Sequence, residues 1–192
     1  MKKILLIFLL LAFCLTPVAI YYINPFDVPT DKIRPRVFGH DLYRIPSKSM
    51  LPVLAPGDYI IMSNTAYLNK LPKRGDIIVF NRVSKKDSNK KIPYIKRVIG
   101  LPGDTLKIQQ GLVLVNNQTL KEDYVKAENR KRPYSRFQPL RSVPENSLFL
   151  LGDNRDQSAD SRIFGFVSIG DVVGQATVRI FGDNGRSWKS LK

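Results

Sequence analysis

Short runs of β-branched and aromatic residues make up most of the chain after residue 25, and they constrain its fold more than any other feature. Each run is bounded by Gly, Pro, Asn or Asp, which is typical of strands joined by turns. The runs lie at residues 58–62, 76–80, 94–99, 105–108, 112–115, 147–151 and 172–181. No long stretch with a helical apolar period follows residue 25, so helices should be few and short. The pattern predicts a mostly β fold, an antiparallel sheet domain of the sandwich or distorted-barrel type.

The N-terminal segment differs from the rest because it is apolar from residue 4 to residue 23, after the basic pair Lys2 and Lys3. A helix of about twenty residues is about 30 Å long, enough for one bilayer crossing. We therefore predict one N-terminal transmembrane helix, with residues 1–25 as a membrane anchor. The alternative is a cleaved secretory signal. The run is long for such a signal, and cleavage after Ala19 would place Pro17 two residues before the cut.

The rest of the chain, residues 26–192, is predicted to form one β domain, since a total of 192 residues is an ordinary domain size. Residues 121–143 carry an excess of basic residues and two prolines. We expect an exposed lobe or long loop there, within an insertion at about residues 107–146.

The formal net charge of +15 favours an anionic partner, either nucleic acid or acidic lipid head groups. The apolar N-terminal run favours lipid. A face that binds single-stranded nucleic acid usually has aromatic residues among its basic ones, and this pattern is not evident here. We therefore predict membrane lipids as a partner and no nucleic acid. The single cysteine, Cys14, allows no intramolecular disulfide.

A serine and a lysine are the main candidates for chemistry. Ser49 lies in the stretch IPSKSMLP, and Lys96 lies in the stretch YIKRVIGLPGD. A serine nucleophile needs a base, which is most often a histidine, and the chain has only His40. A buried lysine can replace histidine because burial lowers its pKa and leaves the amine neutral. The strand alone favours a surface lysine beside Arg97, so the case for Lys96 depends on the surrounding motifs, and His40 stays open as the base.

Three motifs together resemble the bacterial type I signal peptidases, which are membrane-bound serine endopeptidases with a Ser/Lys dyad. They are the two stretches around Ser49 and Lys96 and a third, GDNRDQSADSR, at residues 152–162. The resemblance covers residues 43–58, 75–79, 94–104 and 150–166. The third motif is close to diagnostic, and all three occur in the order of the family.

The resemblance implies that Ser49 is the nucleophile and Lys96 the general base. It implies that Ser47 donates its hydroxyl to the oxyanion hole, beside the backbone N–H of Ser49. A hydrogen bond from Ser158 would orient the Lys96 amine. No cofactor is implied.

Further residues are implied to support the site or to contact substrate. Asp160 and Arg162 would form an ion pair that braces the third motif, and Asp153 would support the end of the preceding strand. The pockets for small substrate side chains would be lined by Tyr43, Ile45 and Ile95. Small pockets fit substrates of the Ala-x-Ala type.

A calcium loop is the competing interpretation of the carboxylates Asp153, Asp156 and Asp160. Arg155 and Arg162 interleave with these carboxylates, and the bidentate glutamate of a calcium loop is missing. We therefore predict no metal.

Three positions depart from the family pattern without removing a catalytic group. Lys48 stands where a small glycine is usual, Val53 where threonine is common, and Gln157 where asparagine is common. Lys48 places a long cation beside the nucleophile, and its effect on substrate choice is open.

The predicted function is that of signal peptidase I, which removes N-terminal signal peptides from exported preproteins after small residues. The predicted location is the cytoplasmic membrane, crossed once, with the catalytic domain on the outer side. One alternative is a related peptidase dedicated to maturing conjugative pilins. Another is a non-catalytic, membrane-tethered basic binding module, which the presence of both dyad residues disfavours.

Overall fold

The computed structural model describes residues 2–28, 30–84, 86–182 and 185–191; side chains are not described at residues 2–5, 7–8, 181–182 and 185–187. The α-helices of this part are α1 (Lys2–Ile23), α2 (Ile33–Phe38), α3 (Pro133–Arg136) and α4 (Ser161–Phe164). The strands are β1 (His40–Arg44), β2 (Tyr59–Ser63), β3 (Ile77–Val83), β4 (Lys91–Gly100), β5 (Thr105–Gln109), β6 (Leu112–Val115), β7 (Gln118–Thr119), β8 (Gln138–Ser142), β9 (Ser147–Leu151), β10 (Val167–Ser168), β11 (Val172–Gly182) and β12 (Gly185–Ser190).

The strands form two antiparallel sheets. The larger has the order β1-β2-β11-β3-β4-β9-β10, with β12 also paired to β11. The smaller has the order β7-β6-β5-β8. The prediction of a mostly β, antiparallel fold is confirmed. Neither sheet closes on itself within the described residues, so the distorted barrel is not formed.

Each run predicted to be a strand overlaps one, but β1, β7, β8, β10 and β12 were not predicted. These strands are very short, or they are rich in polar residues and carry little apolar alternation. β1 has the sequence HDLYR and exists because it pairs with β2 from His40↔Ser63 to Arg44↔Tyr59. Such strands form because they pair with a neighbouring strand, and the local sequence does not show which neighbour that is.

Three clusters of buried side chains form the core. The first lies where the segment after β1 packs on the larger sheet and includes Ile45, Met50 and Leu54. The second joins the smaller sheet to β9 and the end of β4. The third includes Phe80 and Val98 on β3 and β4. Strand β4 therefore has core on both faces, which buries its central residues.

The N-terminal helix α1 is 22 residues long and contains Pro17. In the part of the chain that the structure describes, no helix meets the length and apolarity needed for a membrane crossing. The transmembrane anchor stays a prediction.

Residues 121–143 were expected to be an exposed lobe or loop, and most of them lie in the segment 120–137 between β7 and β8. Many of its charged side chains are exposed, but Glu122 and Ser135 are buried. Both contact Arg155 in the third motif. The segment packs on residues 152–162 because its polar groups find hydrogen-bond partners there.

Candidate active site

Ser49 lies in a single 3₁₀ turn, Lys48–Met50, between β1 and β2. We call this the Ser49 turn. Ile45 before it and Met50 within it are buried in the first core cluster. Two buried apolar side chains fix the turn to the sheet, and Ser49 is itself buried.

Lys96 lies in the middle of β4, opposite Ile78 of β3. Its side chain donates a hydrogen bond from Nζ to Ser49 Oγ at 2.9 Å and another to the Ile95 carbonyl oxygen at 2.7 Å. The residue is only 3% exposed. The structure therefore brings the predicted nucleophile and the predicted base into direct contact.

Burial lowers the pKa of Lys96 from its ordinary 10.5 to about 8. Loss of hydration disfavours the ammonium form and is the largest cause. The carboxylates of Asp160 and Asp153 partly offset it, and the cation of Arg162 adds to it. Near pH 8 a large fraction of Lys96 is neutral and able to accept a proton.

Ser47 and Ser158 both lie close to this pair, with different contacts. The hydroxyl of Ser47 is 3.2 Å from Ser49 Oγ. Ser158 Oγ is buried and has no hydrogen-bond partner among the described residues. The expected hydrogen bond between Ser158 and Lys96 is thus not formed here.

Gly152 explains how the third motif approaches the Ser49 turn so closely. A Cβ built on Gly152 would lie 2.2 Å from Ser158 Oγ and 2.4 Å from the Ser49 carbonyl oxygen. Both distances are far inside van der Waals contact. Only a residue without a side chain allows the end of β9 to lie between these two groups.

Asp160 and Arg162 form a fully buried ion pair at the end of the third motif. Arg162 Nε and Nη2 donate to the two carboxylate oxygens of Asp160, each at 2.7 Å. Asp160 also accepts from the backbone N–H of Gly152 at 3.0 Å and caps α4 by accepting from the backbone N–H of Arg162. One carboxylate thus connects the start of the motif to its end.

Asp153 forms a second buried ion pair, with Arg97, which sequence reasoning did not single out. Arg97 Nε and Nη2 donate to Asp153 at 2.8 Å and 2.7 Å. Burial raises the pKa of Asp153, and the hydrogen bonds and charge of Arg97 oppose that rise. The only signal in the sequence was the position of Arg97 directly after Lys96.

Asn154 also went unnoticed at the sequence level. Its backbone N–H donates to the Ser49 carbonyl oxygen at 3.1 Å, and its side-chain Nδ2 donates to the Lys48 carbonyl oxygen at 3.0 Å. The third motif therefore contacts the backbone of the Ser49 turn at two successive carbonyl oxygens.

Similarity to known proteins extends over most of the chain. Residues 1–181 match the family described as signal peptidase, peptidase S26. The chain belongs to this family. The resemblance to type I signal peptidases that the three motifs indicated is confirmed.

Two relatives and one solved structure give the extent of the similarity. A signal peptidase I of Leptolyngbya laminosa is 40% identical over 149 residues, which are 76% of this chain and 71% of that protein. One of Bacillus caldolyticus is 37% identical over 153 residues, 75% of this chain and 81% of that protein. The crystal structure of a signal peptidase I from Enterococcus faecalis V583 covers 56% of this chain and 98% of its own, with 35% identity and a TM-score of 0.45.

The three residues predicted to line substrate pockets lie together in this member of the S26 family. Ile45 is buried in the first core cluster, and the half-buried Tyr43 and Ile95 pack against that cluster. Tyr43 also lines a groove of about 690 Å³. Ile45 has almost no exposed surface, whereas Tyr43 and Ile95 retain some.

The sequence also offered two other sites, His40 as the base and a calcium loop formed by Asp153, Asp156 and Asp160. His40 is exposed on β1, and its Nδ1 lies 2.8 Å from the Phe38 carbonyl oxygen. Over the described ranges, no group of three or more His, Cys, Asp or Glu side chains is arranged to bind a metal ion. Asp153 and Asp160 are instead paired with arginines.

Proposed function

We propose that this chain is a signal peptidase I that removes N-terminal signal peptides from exported preproteins, with Ser49 as nucleophile and Lys96 as general base. One observation carries the proposal. The buried Lys96 amine is 2.9 Å from Ser49 Oγ, and burial lowers its pKa to about 8. Family membership supports the same reaction class.

In the first half of the proposed reaction, neutral Lys96 removes the proton of the Ser49 hydroxyl while Oγ attacks the scissile carbonyl carbon. The carbonyl oxygen gains negative charge, and the Ser47 hydroxyl and the Ser49 backbone N–H would donate hydrogen bonds to it. Removing one donor of this kind typically lowers kcat by about 10² to 10³. The Lys96 ammonium then protonates the leaving amine, and the ester with Ser49 remains.

In the second half, Lys96, neutral again, removes a proton from water. The resulting hydroxide attacks the ester carbonyl carbon, and the signal peptide is released as a carboxylic acid that loses its proton to solvent. Lys96 then returns its proton to Ser49 Oγ. The buried pair of Asp160 and Arg162 is proposed to brace the motif that contains Ser158.

The substrate is proposed to bind as an extended strand. β1 pairs only with β2 in the described part of the larger sheet, so its second edge is free to accept a peptide. Ser47 and Ser49 follow β1 directly, and Tyr43 projects from it. A peptide added at this edge would place small side chains against Tyr43 and Ile95, as in sites of the Ala-x-Ala type.

Membrane attachment is proposed through α1. Its described apolar side chains are largely exposed, among them Leu9, Phe13 and Leu15. Exposed apolar side chains along a helix are favourable in lipid and unfavourable in water. Retention of the full chain in the membrane pellet after alkaline carbonate extraction supports attachment, and release into the supernatant contradicts it.

The test is cleavage of a preprotein whose signal ends in Ala-x-Ala, followed by mass spectrometry of the product. Ser49→Ala and Lys96→Ala should each abolish cleavage. Ser88→Ala and Lys107→Ala, at exposed positions, are the matched controls and should cleave like wild type. Between about pH 6 and about pH 10 the wild-type rate should rise as Lys96 loses its proton. Full activity of Lys96→Ala would remove Lys96 as the base.

A further inference from the structure

Glu122 is a buried acid between two exposed charged residues. Its side chain is 1% exposed, whereas those of Lys121 and Asp123 are 85% and 77% exposed. The sequence Lys-Glu-Asp gives no sign of this difference. A carboxylate removed from water in this way needs a specific partner.

The most buried partner is Arg155 of the third motif. Glu122 also accepts from Arg130 Nη2 at 3.4 Å and from the Tyr124 hydroxyl at 3.1 Å. Arg155 Nη1 donates to Glu122 Oε2 at 3.0 Å, and Nη2 donates to Oε1. Arg155 Nε donates to the Gly152 carbonyl oxygen at 3.1 Å. Burial disfavours the Arg155 cation, but the hydrogen bonds and charge of Glu122 outweigh it, so the pKa of Arg155 is raised and it stays charged.

Such a pair is a poor source of stability, because the cost of desolvating both ions offsets their attraction. Its effect here is geometric. Arg155 directly follows Asn154, which donates two hydrogen bonds to the Ser49 turn. Through Nε, Arg155 also fixes Gly152, which lies against the Ser49 carbonyl oxygen and Ser158 Oγ.

The 120–137 segment contacts the same part of the motif a second time. Ser135 Oγ donates to the Arg155 carbonyl oxygen at 2.8 Å. The backbone N–H groups of Lys131 and Arg132 donate to the Asp156 carboxylate at 2.9 Å and 3.0 Å. The segment thus contacts both the side chain and the backbone of Arg155.

We propose that Glu122 is a positioning residue for the Ser49–Lys96 pair, acting through Arg155 and Asn154. This inference rests on the proposed peptidase function. The segment between β7 and β8 then has a direct part in the geometry of the site, although it contributes no group to the reaction.

The test measures kcat and KM for wild type, Glu122→Gln, Asp123→Asn and the pair Glu122→Gln/Arg155→Met. Circular dichroism gives the folded fraction, and kcat is expressed per folded enzyme. Glu122→Gln removes the charge and keeps the shape. We expect kcat to fall about tenfold to a hundredfold with KM unchanged, the size of effect that small misplacement of reacting groups produces. Asp123→Asn removes the same charge at the exposed neighbour and should match wild type.

The pH profile separates positioning from electrostatics. The groups that shift the pKa of Lys96 are Asp160, Asp153 and Arg162, besides burial, and Glu122 is not among them. The midpoint of the acidic limb in Glu122→Gln should therefore equal that of wild type, with a lower plateau. The double variant removes both charges of the fully buried pair, so it serves if Glu122→Gln does not fold. Its kcat should be no higher than that of Glu122→Gln, because Arg155→Met also removes the hydrogen bond from Nε to the Gly152 carbonyl oxygen.

Wild-type kcat in folded Glu122→Gln, or in the double variant where the single one does not fold, would overturn the inference. An equal loss in Asp123→Asn would also overturn it, since the effect would then be one of net charge. Failure of wild type itself to cleave overturns the proposed function instead, and is seen before any Glu122 variant is measured.

Discussion

Asn154 contacts the backbone of the Ser49 turn at two points, with its N–H on the Ser49 carbonyl oxygen and its Nδ2 on the Lys48 carbonyl oxygen. A one-turn 3₁₀ helix has few hydrogen bonds of its own. The orientation of Ser49 Oγ toward Lys96 therefore depends on a residue that never contacts either functional atom.

Asn154→Ala removes the side-chain donor and leaves the backbone contact. A net hydrogen bond contributes about 1 kcal/mol, so we expect kcat to fall about fivefold if that energy is lost from the positioning of Ser49. Steady-state cleavage of an Ala-x-Ala preprotein measures it. Asn89→Ala, in an exposed loop, is the control. A wild-type rate in Asn154→Ala would show that the backbone N–H is sufficient.

Gly152→Ala should inactivate the enzyme because its new methyl group would overlap Ser158 Oγ and the Ser49 carbonyl oxygen. We expect loss of at least about two orders of magnitude in kcat/KM, since the Ser49 turn must move to make room. Gly170→Ala is the matched control, because the nearest atom to its Cβ is Ser168 Oγ at 3.6 Å. Equal activity in the two variants would contradict the close approach.

Lys96→Met should be inactive yet more stable than wild type at neutral pH. In the folded state Lys96 has a pKa of about 8, whereas in the unfolded state it has its ordinary pKa of 10.5. Between about pH 8 and pH 10.5 the unfolded state binds more protons than the folded state, so the stability of wild type rises with pH in this range. Below about pH 8 the folded state bears the full free-energy cost of burying the protonated amine. Removing the amine should raise the free energy of unfolding by roughly 3 kcal/mol at pH 7.

This gain should shrink as pH rises from about 8 toward 10.5, because the burial cost applies only to the protonated amine. Urea unfolding of both proteins at several pH values measures the difference. Lys107→Met, at an exposed strand position, should show no such pH-dependent gain. A gain for Lys96→Met that is independent of pH would indicate improved packing rather than removal of a charge.

Asp160→Asn should destabilise the fold by about 3–5 kcal/mol, because it leaves Arg162 as an unpaired buried cation. The double variant Asp160→Asn/Arg162→Met should recover a large part of that loss, since neither charge remains. Thermal or urea unfolding of the four proteins of this cycle provides the comparison. If the double variant is less stable than either single variant, the hydrogen bonds of the pair matter more than its charges.

The core strands could be predicted from sequence because their apolar residues are consecutive. Residues 112–115 and 147–151 match β6 and β9 at both ends. The edge strand β1 could not be predicted, since its partner β2 defines it. The burial of Glu122 was equally invisible, because it depends on Arg155, a residue distant in the sequence.

The proposed nucleophile and base could be singled out in the sequence for a different reason. Ser49 and Lys96 lie in motifs whose residue types belong to a known chemistry, and the structure places their side chains 2.9 Å apart. The residues that orient them, Asn154 and Glu122, act through backbone contacts and a buried ion pair. Such roles follow from the folded arrangement and leave no pattern in the chain.

The contact between Lys48 and Asn154 joins residues 106 positions apart. Contacts of such long range form late, because a long loop must close before they contribute. During synthesis, Ser49 and Lys96 emerge well before the residue that orients the Ser49 turn. An enzyme built in this way becomes active only after most of its chain has been made and folded, so an incomplete chain is not a working protease.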